Sequence, residues 1–323
     1  MRVLIVKLSS LGDVVHAMPV VHDIRASHAG ALIDWVVEPG FAPLVRRVDG
    51  VHTVIECALR RWRTRWWTGE VRREWREFRA ALQQPRYDAV IDLQGLTKSA
   101  LIARMANGPS YGLANRTDGA GYEAPARWLV DHAIHIEPHI HALDRSRVLA
   151  ARALGYRVDG PPQFGLRSRL PAAAARTLVF VHGTSRDDKL WPEANWTAIG
   201  RRAIEADWRI ALPHAGDAEL ARAQRLAAAL GPACEVWPAM NLDALTDRLG
   251  TTQGVIGVDS GLSHIAVALD LPHVQIYNFP TSWRTGPQAA HGHMHQVSVE
   301  AQPTPSVDTV WSAWAQVQQV SHP

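Results

Sequence analysis

Asp13 ends the run Lys7-Leu8-Ser9-Ser10-Leu11-Gly12-Asp13, which directly follows the apolar stretch Val3-Leu4-Ile5-Val6. A carboxylate there can act as a general base if partial burial lifts its pKa toward neutrality. It can equally cap the helix that starts at this point by accepting backbone N–H bonds. Ser9, Ser10 and Gly12 leave room for a ligand to approach the backbone, and they would also suit a simple tight turn. A second run has the same design. Val255-Ile256-Gly257-Val258 leads into Asp259-Ser260-Gly261-Leu262-Ser263-His264. Ser260 and Gly261 can offer free N–H groups to an anion at a helix start. Asp259 can accept from sugar hydroxyls, while His264 reads either as a ligand contact or as a packed, hydrogen-bonded histidine.

A third loop, His182-Gly183-Thr184-Ser185-Arg186-Asp187-Asp188-Lys189-Leu190-Trp191-Pro192, follows the apolar run 177–181. Thr184 and Ser185 supply hydroxyls and Lys189 a positive charge, which together fit a pyrophosphate. A polar surface loop with a capping role would look similar, and the Walker spacing is missing. Of the 34 Lys and Arg residues only three are lysines: Lys7, Lys98 and Lys189. All three fall in or beside candidate strand-end loops, which reads either as a need for a compact ammonium where a guanidinium does not serve or as chance in an Arg-biased composition. The stretch Arg60-Arg61-Trp62-Arg63-Thr64-Arg65-Trp66-Trp67 combines cations with indoles and suits phosphates, carboxylates, nucleic acid or an anionic lipid headgroup. It also fits a solvated helix face, partly neutralised by Glu70, Glu74 and Glu77.

The elements that must hold these residues alternate along the chain. Strand-like runs cover 3–6, 32–37, 51–55 and 89–93. Helical patterns cover 14–25, 70–82, 97–105 and 141–154. Such alternation predicts a parallel sheet covered on both faces. Residues 155–175, with Gly160-Pro161-Pro162 and an alanine run, read as a linker. The pattern then restarts, with strands at 177–181, 209–212, 235–237, 254–258 and 273–277. Helices are predicted at 192–206, 217–230, 242–249, 262–269 and, with Trp311 and Trp314, at 307–320. Strand-end loops in both halves predict an interdomain cleft holding a phosphorylated ligand.

Composition excludes several classes. At 323 residues, 47% apolar and 20% charged, the chain is sized for two globular domains. No apolar run approaches the ~20 residues needed to span a bilayer. The strand-like run at the N-terminus leads to the expectation of no signal peptide. Cys57 and Cys234 have neither metal-ligand spacing nor a disulfide framework, so a cytoplasmic protein with reduced thiols is expected. A net charge of +3, with arginines gathered in one patch, argues against a nucleic-acid module. The first loop lacks the G-x-G-x-x-G of a nucleotide-sugar epimerase or dehydrogenase.

Taken in order, these motifs resemble the ADP-heptose:lipopolysaccharide heptosyltransferases, glycosyltransferase family 9. The resemblance rests on residues 2–7 and 9–13, Asp34-Trp35-Val36-Val37-Glu38, Arg60-Arg61-Trp62-Arg63, Ile91-Asp92-Leu93-Gln94-Gly95-Leu96-Thr97-Lys98-Ser99, Thr184 to Pro192 and Val258 to His264. It implies an α/β GT-B fold: two Rossmann-like domains facing across a cleft, with a C-terminal helix crossing back to the first. The domains implied are 1–160 for the acceptor, 172–305 for the nucleotide sugar, and 306–323 for the returning helix. It further implies inverting, metal-independent transfer of L-glycero-D-manno-heptose from ADP-heptose to the Kdo of Kdo2-lipid A. A later-acting heptosyltransferase of the family is the alternative.

Residue roles follow from the resemblance alone. Asp13 matches the base, and Lys189 the cation facing the departing ADP. Ser10, Gly12, Thr184, Ser185, Glu219, Met240, Asp259, Ser260, Gly261 and His264 match donor contacts, Glu219 on the ribose and Met240 by the adenine. Lys7, Arg60, Arg61, Arg63 and Lys98 match the acceptor side. The implied enzyme is a monomer without cofactor or nucleic-acid partner, peripheral on the cytoplasmic face of the inner membrane. One stretch departs from the family: Asn278 to Pro287 replaces a Gly-Pro-Thr-Asp-Pro-like turn.

Overall fold

Runs of Val, Ile and Leu become the central strands of two parallel sheets, because strands covered by helices on both faces are apolar throughout. The computed structural model describes residues 1–288 and 294–321. It divides into one unit spanning Met1–Leu166 and a second from Arg167 onward. In the first unit, β1 (Arg2–Val6), β2 (Leu32–Val37), β3 (Val51–Glu56), β4 (Ala89–Asp92), β5 (Ser110–Leu113) and β6 (His132–Ile134) pair in the order β3-β2-β1-β4-β5-β6. Val6 stands opposite Val36 on one side and Asp92 on the other.

In the second unit, β7 (Thr177–Val181), β8 (Arg209–Leu212), β9 (Cys234–Val236), β10 (Gly254–Val258), β11 (His273–Tyr277) and β12 (Gln296–Glu300) pair as β12-β11-β10-β7-β8-β9. Both sheets have the doubly wound dinucleotide-binding order, in which the direction of strand addition reverses between the first and fourth strands while all strands stay parallel. That reversal opens a crevice beyond the carboxyl ends of β1 and β4, and another beyond β7 and β10. The four loops leaving these strands include the three singled out above.

The expected elements are found, with informative differences. The helix expected over 14–25 is two, Leu11–Ala17 and Pro19–Ser27. Pro19 carries no N–H to continue the first helix, so the axis breaks at Met18. Strands β5, β6 and β12 went unpredicted because they are short and not continuously apolar, and β6 and β12 lie at sheet edges. The linker is narrower than expected. Phe164 and Leu166 are buried, and Asp49 N donates to Gly165 O (2.8 Å), which ties that segment to the first unit. Arg169 pairs with Asp243 and Asp247 in the second.

The terminal helix, Val307–Ser321, contributes Val310, Ala313, Trp314 and Val317 to the core of the second unit. Trp314 meets Trp208 edge-on, 5.4 Å between ring centroids. The last two positions of the expected 306–323 segment, and 289–293 within 172–305, lie outside the described residues.

Candidate active site

In the first unit the loop after β1 delivers Asp13 into the first turn of helix Leu11–Ala17. Its Oδ2 accepts from Ser10 N (3.3 Å) and Ser10 Oγ (2.9 Å). The N-cap is Ser10 rather than Asp13, which sits in the first turn and accepts from the N-cap's own N–H, the returning half of a capping box. The other oxygen faces cations: Oδ1 lies 3.4 Å from Lys7 Nζ and 3.7 Å from Arg145 Nη2. Burial alone would raise the pKa of this carboxyl, but Lys7, Arg145 and the Ser10 hydroxyl outweigh it and hold Asp13 well below the usual range. Partial burial therefore does not lift this carboxyl toward neutrality, because two cations face the group.

Lys7 is 1% exposed and also donates to Leu93 O (3.1 Å), so it lies beneath Asp13. Burial pulls its own pKa down, against the pull of Asp13. Arg145 was not found from sequence, where it is one arginine among many in a helix. Its position comes from helix Ala142–Leu154, which a buried, bidentate Arg147–Asp23 pair (2.7 and 2.8 Å) fastens to helix Pro19–Ser27. Thr117 Oγ1 accepts from Arg145 Nη1 (3.2 Å).

The β4 loop adds two groups not singled out before. Asp92 accepts from Gln94 N, Gly95 N and Ser99 Oγ, and burial pushes its pKa up to about 6. Gln94 Oε1 accepts from Leu8 N (3.1 Å) and Ser9 N (3.2 Å). Lys98 is half-buried in the first turn of the following helix, Thr97–Met105.

The Arg-Trp stretch sorts itself on helix Leu59–Arg65. Trp62 enters the core, with its Nε1 donating to Glu74 (2.8 Å). Arg61 also pairs with Glu74 (2.6 Å), and Arg60 with Glu38 (3.2 Å). Arg63 and Arg65 are exposed, as are Trp66 (64%) and Trp67 (60%).

In the second unit the carboxyl ends of β7 and β10 bring their loops together around Asp259. Lys189 Nζ meets Asp259 Oδ2 at 2.6 Å, and His264 Nε2 lies 3.3 Å from Oδ1. Gln275 and Thr285 reach the same Oδ1 at 3.5 and 3.4 Å. Burial would raise the pKa of Asp259, but His264 and Lys189 prevail and keep it ionised. Thr184 Oγ1 donates to Asp259 O (3.1 Å), which joins the two loops. Ser260 precedes helix Gly261–Ala268, and its buried hydroxyl meets no partner among the described residues. Ser185 is exposed on the same loop as Lys189.

Glu219 opens helix Asp217–Leu230 after β8, and its Oε2 accepts from Ala215 N (2.6 Å). It lies over Gly183, where an added Cβ would come within 2.4 Å of the carboxylate. Met240 is half-buried in the segment after β9. The divergent stretch is part of this construction. Asn278 Nδ2 donates to Asp188 O (3.0 Å) and Leu190 O (2.9 Å), on either side of Lys189, while Thr304 Oγ1 donates to Asn278 Oδ1 (2.7 Å).

The structure therefore gathers Lys7, Ser10 and Asp13 in one unit and Thr184, Lys189, Asp259 and His264 in the other. Both groups offer charges suited to anionic, hydroxyl-bearing ligands. Among the described residues, no group of three or more His, Cys, Asp or Glu side chains is placed to hold a metal ion.

Comparison with known proteins gives consistent findings. The model of glycosyltransferase family 9 (heptosyltransferase) matches residues 75–313. Over 285 residues the chain is 40% identical to lipopolysaccharide heptosyltransferase 1 of Escherichia coli strain K12, covering 86% of this chain and 88% of that one. The structure of the E. coli heptosyltransferase WaaC with ADP superimposes with a TM-score of 0.87 at 34% identity, over 98% of this chain and 100% of that one. The same enzyme with ADP-2-deoxy-2-fluoro heptose gives 0.82 at 36% identity, over 99% and 100%.

Proposed function

The chain belongs to glycosyltransferase family 9, and from that premise we propose that it transfers L-glycero-D-manno-heptose from ADP-heptose to the Kdo of Kdo2-lipid A, in assembly of the lipopolysaccharide inner core. The observation that carries the chemistry is Asp13. It is an ionised carboxylate with one oxygen capped by Ser10 and the other facing Lys7 and Arg145.

The reaction is a single inverting displacement. Asp13 takes the proton of the acceptor hydroxyl, and the freed oxygen attacks the anomeric carbon. The bond from that carbon to the phosphate oxygen breaks, and its electron pair leaves with ADP. Lys189 and the N–H groups at the start of helix Gly261–Ala268 take up the charge that develops on the pyrophosphate. A lysine in this role makes a divalent ion unnecessary. Ser185 adds a hydroxyl donor, Thr184 joins it by turning its single O–H away from Asp259 O, and Ser260 Oγ, which meets no partner among the described residues, bonds the donor. Asp259 and His264 bind the heptose hydroxyls, Glu219 the ribose, and Met240 packs by the adenine. Ser10 and Gly12 complete the donor contacts.

An anionic acceptor also answers the low pKa of Asp13. Acceptor carboxylates or phosphates that draw on the Lys7 and Arg145 charges weaken their hold on Asp13 and make it a stronger base as the substrate arrives. Lys7, being buried, works through Asp13, whereas Lys98, Arg60, Arg61 and Arg63 meet the acceptor directly. Among the described residues no helix is long and apolar enough to cross a membrane. The exposed Arg63, Arg65, Trp66 and Trp67 fit a peripheral contact with an anionic inner leaflet. One chain carries both residue sets, which suits action as a monomer.

The test is ADP release from ADP-heptose in excess EDTA, with and without Kdo2-lipid A. Release that requires this acceptor is expected. Release only with an acceptor that already bears heptose would move the chain to a later step, and loss of release in EDTA would overturn metal independence.

A further inference from the structure

The side chain of Gln94 joins the two loops at the reversal point of the first sheet. The geometry points to Gln94 as the positioning residue for the Asp13 base: its Oε1 accepts both Leu8 N (3.1 Å) and Ser9 N (3.2 Å), fixing the loop whose next residue caps Asp13. The chain of contacts is continuous. Asp92 Oδ1 accepts from Gln94 N (2.9 Å) and Gly95 N (3.3 Å), holding the backbone from which the Gln94 side chain extends. Gly95 turns there at φ +76°, a conformation that L side chains rarely adopt. Leu8 N and Ser9 N lie past the last ladder bond of β1, so without Gln94 they would need another acceptor. Ser10 then bonds Asp13 Oδ2 through both its N–H and its hydroxyl. Gln94 does not touch Asp13. It sets the backbone that aims it, and an error of about 1 Å in such aim costs about 100-fold in rate.

This inference rests on the proposed base role of Asp13, so one of its two measurements is independent of turnover. Gln94→Met keeps the bulk and removes the acceptor oxygen, while Gln94→Glu keeps an oxygen for both N–H groups. The first measurement is amide hydrogen exchange at Leu8 and Ser9 in the full chain. Met should speed it at least about tenfold, and Glu should keep it near the parent rate. The second is steady-state kinetics with Kdo2-lipid A. Gln94→Met should lower kcat about 10- to 100-fold, with KM for ADP-heptose and Tm little changed, and Glu should restore most of it. Unchanged exchange in Gln94→Met overturns the proposal whatever the substrate proves to be. So does a kcat loss that Glu fails to restore, or one that follows a fall in Tm. A parent chain silent toward every heptose acceptor would instead overturn the proposed function, with the exchange result still deciding the role of Gln94 in the loop.

Discussion

Asp13 is held ready rather than strong, because two cations and a hydroxyl keep it ionised far below neutral pH. Asp13→Asn keeps an oxygen for Ser10 and removes the proposed base. Turnover should fall at least about 1000-fold while ADP affinity, read by calorimetry, stays unchanged; substantial residual turnover would take the base role away. Arg145→Met removes one of the two cations, so the acid limb of the kcat/KM profile should move to higher pH; a downward move would contradict the electrostatic reading. Asp92 behaves in the opposite sense. Burial lifts its carboxyl from 3.8 to about 6, so across that window the native state binds more protons than the unfolded one. Its contribution to stability is present below 3.8 and lost as pH rises through about 6. Measured by denaturation, the stability of Asp92→Asn relative to the parent should climb with pH through this window, by about 3 kcal/mol in all. A flat difference would place Asp92 in a far more polar setting than the structure shows.

At the scale of elements, close approach explains residues that composition does not. A Cβ on Gly254 in β10 would lie 2.2 and 2.8 Å from the ring of Trp314, so this strand is glycine-tipped to admit the terminal helix. Gly254→Ala should cost about 1–3 kcal/mol of stability by urea titration, because the indole has to leave its site. Gly257 faces the same constraint from Ser263 Oγ (2.4 Å) and Val181 Cβ (2.8 Å), which lets β10 and its helix crowd against β7. The stretch from Asn278 shows how a divergent sequence can still serve the site. Its first residue props the turn that carries Lys189, and Thr285 reaches Asp259, though neither follows the family text.

At the scale of the molecule, each unit has its crevice where the strand order reverses in a doubly wound sheet, so short loops suffice to gather the charged residues there. The surface is divided as well. Trp62 serves the core, Arg60 and Arg61 pair with Glu38 and Glu74 while staying exposed, and Arg63, Arg65, Trp66 and Trp67 face solvent beside them. Binding to vesicles rich in anionic lipid should weaken as salt rises, and should fall several-fold in a Trp66→Ser, Trp67→Ser double variant with unchanged turnover on detergent-dispersed acceptor. Binding indifferent to both changes would remove this surface from the membrane contact.

Local pattern was enough for the alternating elements, the strand-end loops and the identities of Asp13, Lys189 and Asp259, since apolar periodicity and turn residues act over a few neighbours. The family resemblance supplied the roles proposed for them. The sequence could not show that Arg145 faces Asp13 or that Gln94 joins the loops after β1 and β4. Nor could it show that Asn278 supports the Lys189 turn, because each contact joins residues dozens to more than a hundred positions apart. It also left the pKa of Asp13 unsettled, conditional on burial. A carboxyl titrates according to every charge around it, and only the folded chain puts Lys7 and Arg145 there together.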